Sequence, residues 1–288
     1  MVNVINGTNH SESLVGISSD ENLIRGFGGN DQLFGASRAD TLDGGTGNDM
    51  IFGGSGDDSI LGQTGNDYLD GNAGDDIIYG GCGCDYLFGD AGKDTLYGGK
   101  GCDVLDGQEG EDVLYGESDS DRLNGGNAKD SLYGGNGDDL LSGGNGDDFL
   151  DGGYQNDNLN GGEGKDTLYG GRGNDMLNGD QGDDTYTGYI SNFGIDTIDD
   201  TGNTNNDILL IGGHTSSQFT FGTYDKDGDG NIDGLLLRYN ASNQIRINNY
   251  FDDTSNNVQT SGPGVGEIET IHFSNVDLDF AGVQAQFP

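Results

Sequence analysis

One large apolar residue recurs at every ninth position through the middle of the chain, isolated among glycines and polar neighbours. It is Leu or Ile at each step from Leu33 to Leu177, and Tyr186 at the last. Around it runs a nine-residue unit, Gly-Gly-x-Gly-x-Asp-x-U-x with U apolar, from Gly26 to Thr187 without a slip: 162 residues, or 18 units. Neither an amphipathic helix nor a simple alternating strand has this period. A drift-free repeat of this length predicts an all-β stacked solenoid. Places 7 to 9 predict a very short strand, with place 8 inward and places 7 and 9 in solvent. Places 1 to 6 predict a turn whose glycines supply backbone angles closed to other residues. Two units then close a flattened coil of 18, and nine coils stack as parallel strands about 4.8 Å apart.

The pattern changes at both ends. Residues 1–25 read as two worn rungs forming an entry cap, with Leu14 and Ile24 in inward places. Residues 26–187 form the roll, and 188–288 a β-rich carboxy-terminal cap. In the cap Asp196-Thr197-Ile198 and Asp207-Ile208-Leu209 keep the Asp-x-apolar signature at irregular spacing. β-like runs follow at Phe219–Tyr224, Gly234–Tyr239, Gln244–Asn248 and Glu267–Phe273.

Composition sharpens this picture. The chain of 288 residues carries 51 acids against 11 bases, a formal charge of −40, with 31% hydrophobic residues and no Trp. Such a composition alone leans towards disorder, so the repeat needs something to neutralise its acids. A polyacid has no attraction for nucleic acid or an anionic membrane. No apolar run is long enough for a membrane span, and the polar opening Met1 to Gly16 is unlike a secretory leader.

The sixth place is Asp in every unit, and coiling sorts these residues into two ladders. One holds Asp31, Asp49, Asp67, Asp85, Asp103, Asp121, Asp139, Asp157 and Asp175. The other holds Asp40, Asp58, Asp76, Asp94, Asp112, Asp130, Asp148, Asp166 and Asp184. Neighbours one strand spacing apart repel by about 0.9 kcal/mol even in bulk water. Over sixteen neighbouring pairs this reaches about 14 kcal/mol, comparable with the stability of a whole domain. Calcium suits the gaps, because it takes six to eight oxygens and accepts carboxylates and backbone carbonyls. Eight gaps in each ladder give 16 sites, and filling them takes the formal charge from −40 to −8.

Units such as Gly44-Gly45-Thr46-Gly47-Asn48-Asp49-Met50-Ile51-Phe52 and Gly134-Gly135-Asn136-Gly137-Asp138-Asp139-Leu140-Leu141-Ser142 resemble the haemolysin-type calcium-binding nonapeptide of the RTX family. The resemblance implies a right-handed parallel β-roll. It also implies a ligand set of Gly45, Gly47 and Asp49 from one turn with Gly62, Thr64 and Asp67 from the turn one coil later. Place 4 departs from Gly at Arg38, Asp119, Ala128 and Gln155. A left-handed non-Gly residue costs about 1 kcal/mol, so those turns are expected to hold the weakest sites. The ending, with QIRINNYFDD and GEIETIHFSN, resembles the region that follows such repeats in secreted members. That implies an uncleaved carboxy-terminal signal read by type I secretion machinery.

A second calcium loop is expected at Asp225-Lys226-Asp227-Gly228-Asp229-Gly230-Asn231-Ile232-Asp233. Its oxygen ligands would be Asp225, Asp227, Asp229, Asn231 and Asp233. The loop lacks the Glu of an EF-hand, since Leu236 stands at the twelfth place, and it resembles calcium loops of β-hairpins instead. Three cysteines are too few for a disulfide scaffold. Cys84 and Cys102 share a place on adjacent rungs, which suits either a bridge or two free thiols. Tyr79, Tyr97, Tyr115 and Tyr133 at place 9 predict a surface ladder, open to sugar stacking, lateral association or cross-strand packing. His10, His214 and His272 are scattered, and no zinc or nucleophile motif occurs.

These features predict a secreted, non-enzymatic calcium-binding protein that folds on meeting extracellular calcium, with a structural, surface or adhesive role. Two other readings remain open at this stage: the export and folding module of a larger toxin or hydrolase, and a self-assembling extracellular filament or matrix protein.

Overall fold

The computed structural model describes residues 2–188 and 194–199, and beyond them the strand segments 207–211, 220–224, 234–240, 243–248, 268–273 and 277–279. Among the described residues there is no helix, and so none long and apolar enough to cross a membrane. The chain divides into two units, Met1–Gly144 and Asn145–Pro288.

In the first unit, strands of six residues such as Ser59–Thr64, Tyr68–Ala73 and Ile77–Cys82 alternate between two parallel sheets. Each strand pairs with the strand 18 residues on: Leu42 with Ile60 and Ile60 with Ile78 in one sheet, Ile51 with Leu69 and Leu69 with Leu87 in the other. The parallel β-roll is therefore present, with strands twice the expected length. They run through places 7 to 9 and on through places 1 to 3 of the next unit. The reason lies in the burial pattern, which alternates along Met50–Ser55 so that Ile51 and Gly53 are both buried. Places 6, 8 and 1 all point inward at a period of two. The core is thus a column of Leu and Ile, fully buried from Ile24 to Leu114, flanked on one side by Asp and on the other by Gly.

The entry residues form the outermost rung. Strand β1 (Val2–Asn6) pairs with β3 (Glu21–Gly28), and β2 (Ser13–Val15) with β4 (Gln32–Ala36), all parallel. Ile24 is buried as expected, whereas Leu14 is only half-buried, because the end coil is covered from one side.

In the second unit the same stacking continues through Phe149–Tyr154, Thr167–Arg172, Thr185–Gly188 and Asp207–Ile211. It ends in antiparallel strands: Thr220–Tyr224 on Gly234–Asn240, which pairs in turn with Asn243–Asn248. Ile268–Phe273 lies parallel to Asp207–Ile211 and antiparallel to Asp277–Asp279. Each of the four β-like runs of the cap contains a strand among its described residues.

Outward aromatic residues stack along the first unit. Tyr79, Tyr97, Tyr115 and Tyr133 have ring centroids 4.8, 4.9 and 4.9 Å apart and nearly parallel planes. Between Tyr79 and Tyr133 the ring faces are occupied by one another, which is cross-strand packing rather than an open platform for a sugar. A second column of Phe34, Phe52, Tyr68 and Phe88 lies on the other sheet.

Candidate metal centre

Every sixth-place Asp from Asp31 to Asp184 is buried, at no more than 3% exposure. Within each unit the two ladders form as the 18-residue period requires. Oδ1 of an Asp accepts the backbone N–H of the residue at the same place one coil earlier, an Asp except at the start of each ladder. Asp49 N–H donates to Asp67 at 2.7 Å, Asp58 to Asp76 at 2.7 Å, Asp85 to Asp103 at 2.8 Å and Asp166 to Asp184 at 2.8 Å. That bond uses one carboxylate oxygen. In Asp49, Asp58, Asp67, Asp76, Asp85, Asp94, Asp103, Asp112 and Asp121 the other, Oδ2, is buried without a hydrogen-bond partner. A buried, unsatisfied carboxylate oxygen is costly, and a repeated row of them marks missing partners.

The invariant Gly at place 1 exists to make room for that oxygen. A Cβ on Gly62 would stand 2.4 Å from Asp67 Oδ2, and one on Gly80 2.6 Å from Asp85 Oδ2. Backbone freedom is instead required at places 2 and 4, as at Gly45 and Gly47, with φ of 101° and 124°. Those places tolerate other residues. Asp119, Ala128 and Gln155 adopt positive φ at place 4 as expected, and Gln63, Asn72 and Gln108 do so at place 2. Arg38 corrects the expectation: it is absent from the positive-φ residues and bears no left-handed strain.

Burial is also the largest electrostatic influence. It pushes Asp58, Asp67, Asp94 and Asp103 up to about 7, Asp121 to about 8, and Asp49, Asp76, Asp85 and Asp112 to about 6. The N–H of the preceding rung opposes the rise, and at Asp58 and Asp67 the charges of both ladder neighbours add to it. Repulsion along the ladder, the main cost expected from the sequence, is therefore second to desolvation.

The donor set is all oxygen, which suits a hard cation. Among the described residues no three His, Cys, Asp or Glu side chains converge. A cation between rungs would take two carboxylates and complete its shell with backbone carbonyls. Gly45, Gly47, Gly62 and Thr64 lie on the successive turns that carry Asp49 and Asp67. The Thr64 carbonyl accepts the Gly47 N–H at 2.8 Å, and the Thr64 hydroxyl donates to the Gly45 carbonyl at 3.5 Å. The loop Asp225 to Asp233, with Asp227, Asp229 and Asn231, lies outside the described residues.

Three members of the ladders escape the repeat pattern, Glu12 and Asp196 by register and Asn22 by residue type. Glu12 N–H donates to Asp31 Oδ1 at 2.8 Å across a 19-residue step. Asn22 N–H donates to Asp40 Oδ1 at 2.6 Å, and the Asn22 amide adds a second bond to the same oxygen at 2.8 Å. Asp196 accepts from Asp175 N–H at 3.2 Å across 21 residues, and burial raises both of these carboxyls. Asp196 was visible in the sequence through its Asp-x-apolar signature; Glu12 and Asn22 were hidden by a slip and by a change of residue type.

A second column at place 5 was not foreseen. There the side chain accepts the N–H of the next coil, the reverse direction: Asn66 N–H donates to Asn48 Oδ1 at 3.0 Å, and Lys93 N–H to Asp75 Oδ1 at 2.9 Å.

A stacked parallel roll with a buried Asp ladder at every edge defines a calcium-binding repeat protein of the β-roll class. The family model of the RTX calcium-binding nonapeptide repeat matches residues 25–60, 52–87, 83–114, 97–132, 115–150 and 151–186. The chain belongs to that family. No curated protein matched the chain in a parallel comparison.

Proposed function

We propose that this chain is a secreted, non-enzymatic protein whose roll folds when calcium fills the gaps between successive Asp rungs. The observation that carries the reading is the row of buried Oδ2 atoms without donors, from Asp49 to Asp121. Each gap would use the two Asp carboxylates with the carbonyls of places 2 and 4 of one turn and 1 and 3 of the next. For one gap these are Gly45, Gly47 and Asp49 with Gly62, Thr64 and Asp67. In full the roll would take about 16 ions, and the 225–233 loop one more, by the oxygen count of the sequence. Bound calcium supplies the positive charge that ionised, buried carboxylates need. The chain itself supplies the oxygens, holds them at fixed spacing and keeps water out.

At low calcium the chain would stay extended and pass a one-step exporter. Outside the cell, each ion present at 100 times its dissociation constant adds about 2.7 kcal/mol, if it binds only the folded form. Many coupled sites make this a steep switch. Circular dichroism should show coil in chelator and β-structure in millimolar calcium. Magnesium should not substitute, since it keeps its waters and prefers a rigid octahedron. A chain that is compact and fully β after exhaustive chelation would refute the reading.

A further inference from the structure

The fifth-place column contains two residues that its hydrogen bonds do not explain. Along one edge of the first unit it runs Asn48, Asn66, Cys84, Cys102, Ser120 and Asp138. Cys84 N–H donates to Asn66 Oδ1 at 3.1 Å, Cys102 N–H to Cys84 Sγ at 3.4 Å, and Asp138 N–H to Ser120 Oγ at 3.1 Å. Sulfur is a weak acceptor, so a thiol serves this turn less well than the amides beside it. Yet two thiols occur on successive rungs, both exposed, with the Cys84 sulfur 3.4 Å from the backbone nitrogen of Cys102. Adjacent parallel strands lie about 4.8 Å apart, inside the Cα separation of about 4.4–6.8 Å that a disulfide spans.

We propose that Cys84 and Cys102 are a disulfide modification site that staples two adjacent coils on being oxidised by a low-molecular-weight disulfide. The thiolate of one Cys attacks a sulfur of the small disulfide, forming a mixed disulfide and releasing one small thiol. The second Cys thiolate attacks the protein sulfur of that mixed disulfide and expels the second small thiol. The two protons lost by the cysteines end on the two released thiols; two protein thiols are oxidised and one small disulfide is reduced. Cys82, two residues before Cys84 at place 3, is left single.

The staple falls beside one particular cation gap. Cys84 precedes Asp85 and Cys102 precedes Asp103, and Asp85 N–H already donates to Asp103 Oδ1 at 2.8 Å. Closing this loop restricts the unfolded chain and not the roll. The oxidised chain should therefore reach β-structure at a calcium concentration roughly 1.4-fold lower than the reduced one, the gain being shared among many coupled sites.

The test uses the full chain with oxidised glutathione, in millimolar calcium and in chelator. Circular dichroism is recorded on each sample, followed by acid quench, intact mass and an unreduced peptide map. In any sample that is β-folded, the expected product has lost about two mass units and carries a Cys84–Cys102 link. That link should exceed all Cys82-linked products by at least about tenfold. Cys82→Ser should leave it unchanged, and Cys102→Ser should trap glutathione on Cys84. Stable glutathione on both Cys84 and Cys102 of a folded chain would overturn the proposal, as would a dominant Cys82–Cys84 link. A chain that folds in chelator and still links Cys84 to Cys102 would sink the calcium reading and keep this one. Absence of β-structure in both buffers, with statistical pairing, would sink both.

Discussion

Two polar columns run side by side along the turns of the first unit, one at place 5 and one at place 6, and both bond side chains to the backbone of a neighbouring coil. At place 5 the column is exposed, and Asn48, Asp75, Cys84 and Ser120 all serve. At place 6 it is buried and Asp in every repeat. Asn22, in β3 on the rung next to the outermost one, makes the same backbone bond with its N–H and needs no carboxylate to hold its own turn. An amide thus satisfies the hydrogen-bonding geometry. The requirement for Asp must come from its charge and its second oxygen, which is why the difference points to a cation rather than to a turn.

Acid gives the largest effect that separates the columns. Asp58, Asp67, Asp94 and Asp103 titrate near 7 in the fold against an ordinary value of 3.8. Below that ordinary value both folded and unfolded forms are protonated and the penalty vanishes. As pH rises above that ordinary value the unfolded chain ionises while the roll resists, and metal-free stability is lost progressively until the folded carboxyls ionise near 7. Exhaustively dialysed protein should therefore gain β-structure between pH 7.5 and about 4.5 by circular dichroism. A metal-free chain less ordered at the acid end would break the comparison.

Next in size is Gly62→Ala. Its methyl would meet Asp67 Oδ2 at 2.4 Å and the Gly80 carbonyl at 2.7 Å. A loss of about 2–3 kcal/mol in denaturant titration with calcium present is expected. An effect under about 0.5 kcal/mol would show that the carboxylate does not occupy that space.

Asp67→Asn sharpens the contrast because it has opposite signs in two buffers. Without metal it removes a buried ionisable group and should raise stability at pH 7.5. With calcium it weakens the gaps on both sides, each about 2.7 kcal/mol at saturating ion. Equilibrium dialysis should show fewer bound ions than in the parent. The smallest effect belongs to place 5: Asp75→Asn keeps the acceptor for Lys93 N–H and should change stability by less than about 0.5 kcal/mol in either buffer.

Much of this was legible from one chain because the repeat repeats its own evidence. The place-8 core, the two Asp ladders and the strands of the cap followed from period and alternation alone. The strand length did not, since glycine at place 1 carries no hydrophobic signal although Gly53 is buried like its neighbour Ile51. The weight given to charge repulsion was misplaced because nothing in the sequence tells an inward carboxylate from an edge one. Glu12, Asn22 and Asp196 were lost or blurred by steps of 19 and 21 residues or by a change to amide. Arg38 lies outside the positive-φ region that Asp119, Ala128 and Gln155 occupy at the same place, a difference with no signal in the repeat.

The Asn22 rung has a consequence for how assembly begins. Its amide donates to the Ile17 and Asp20 carbonyls and to Asp40, and its oxygen accepts from Ile17 N–H and from Asn3. In a quasi-one-dimensional stack each coil is stabilised only by its neighbours, so a self-sufficient rung one step in from the end acts as a seed. Growth would start from that end and proceed in one direction, each new coil inheriting a finished template before its own ion arrives.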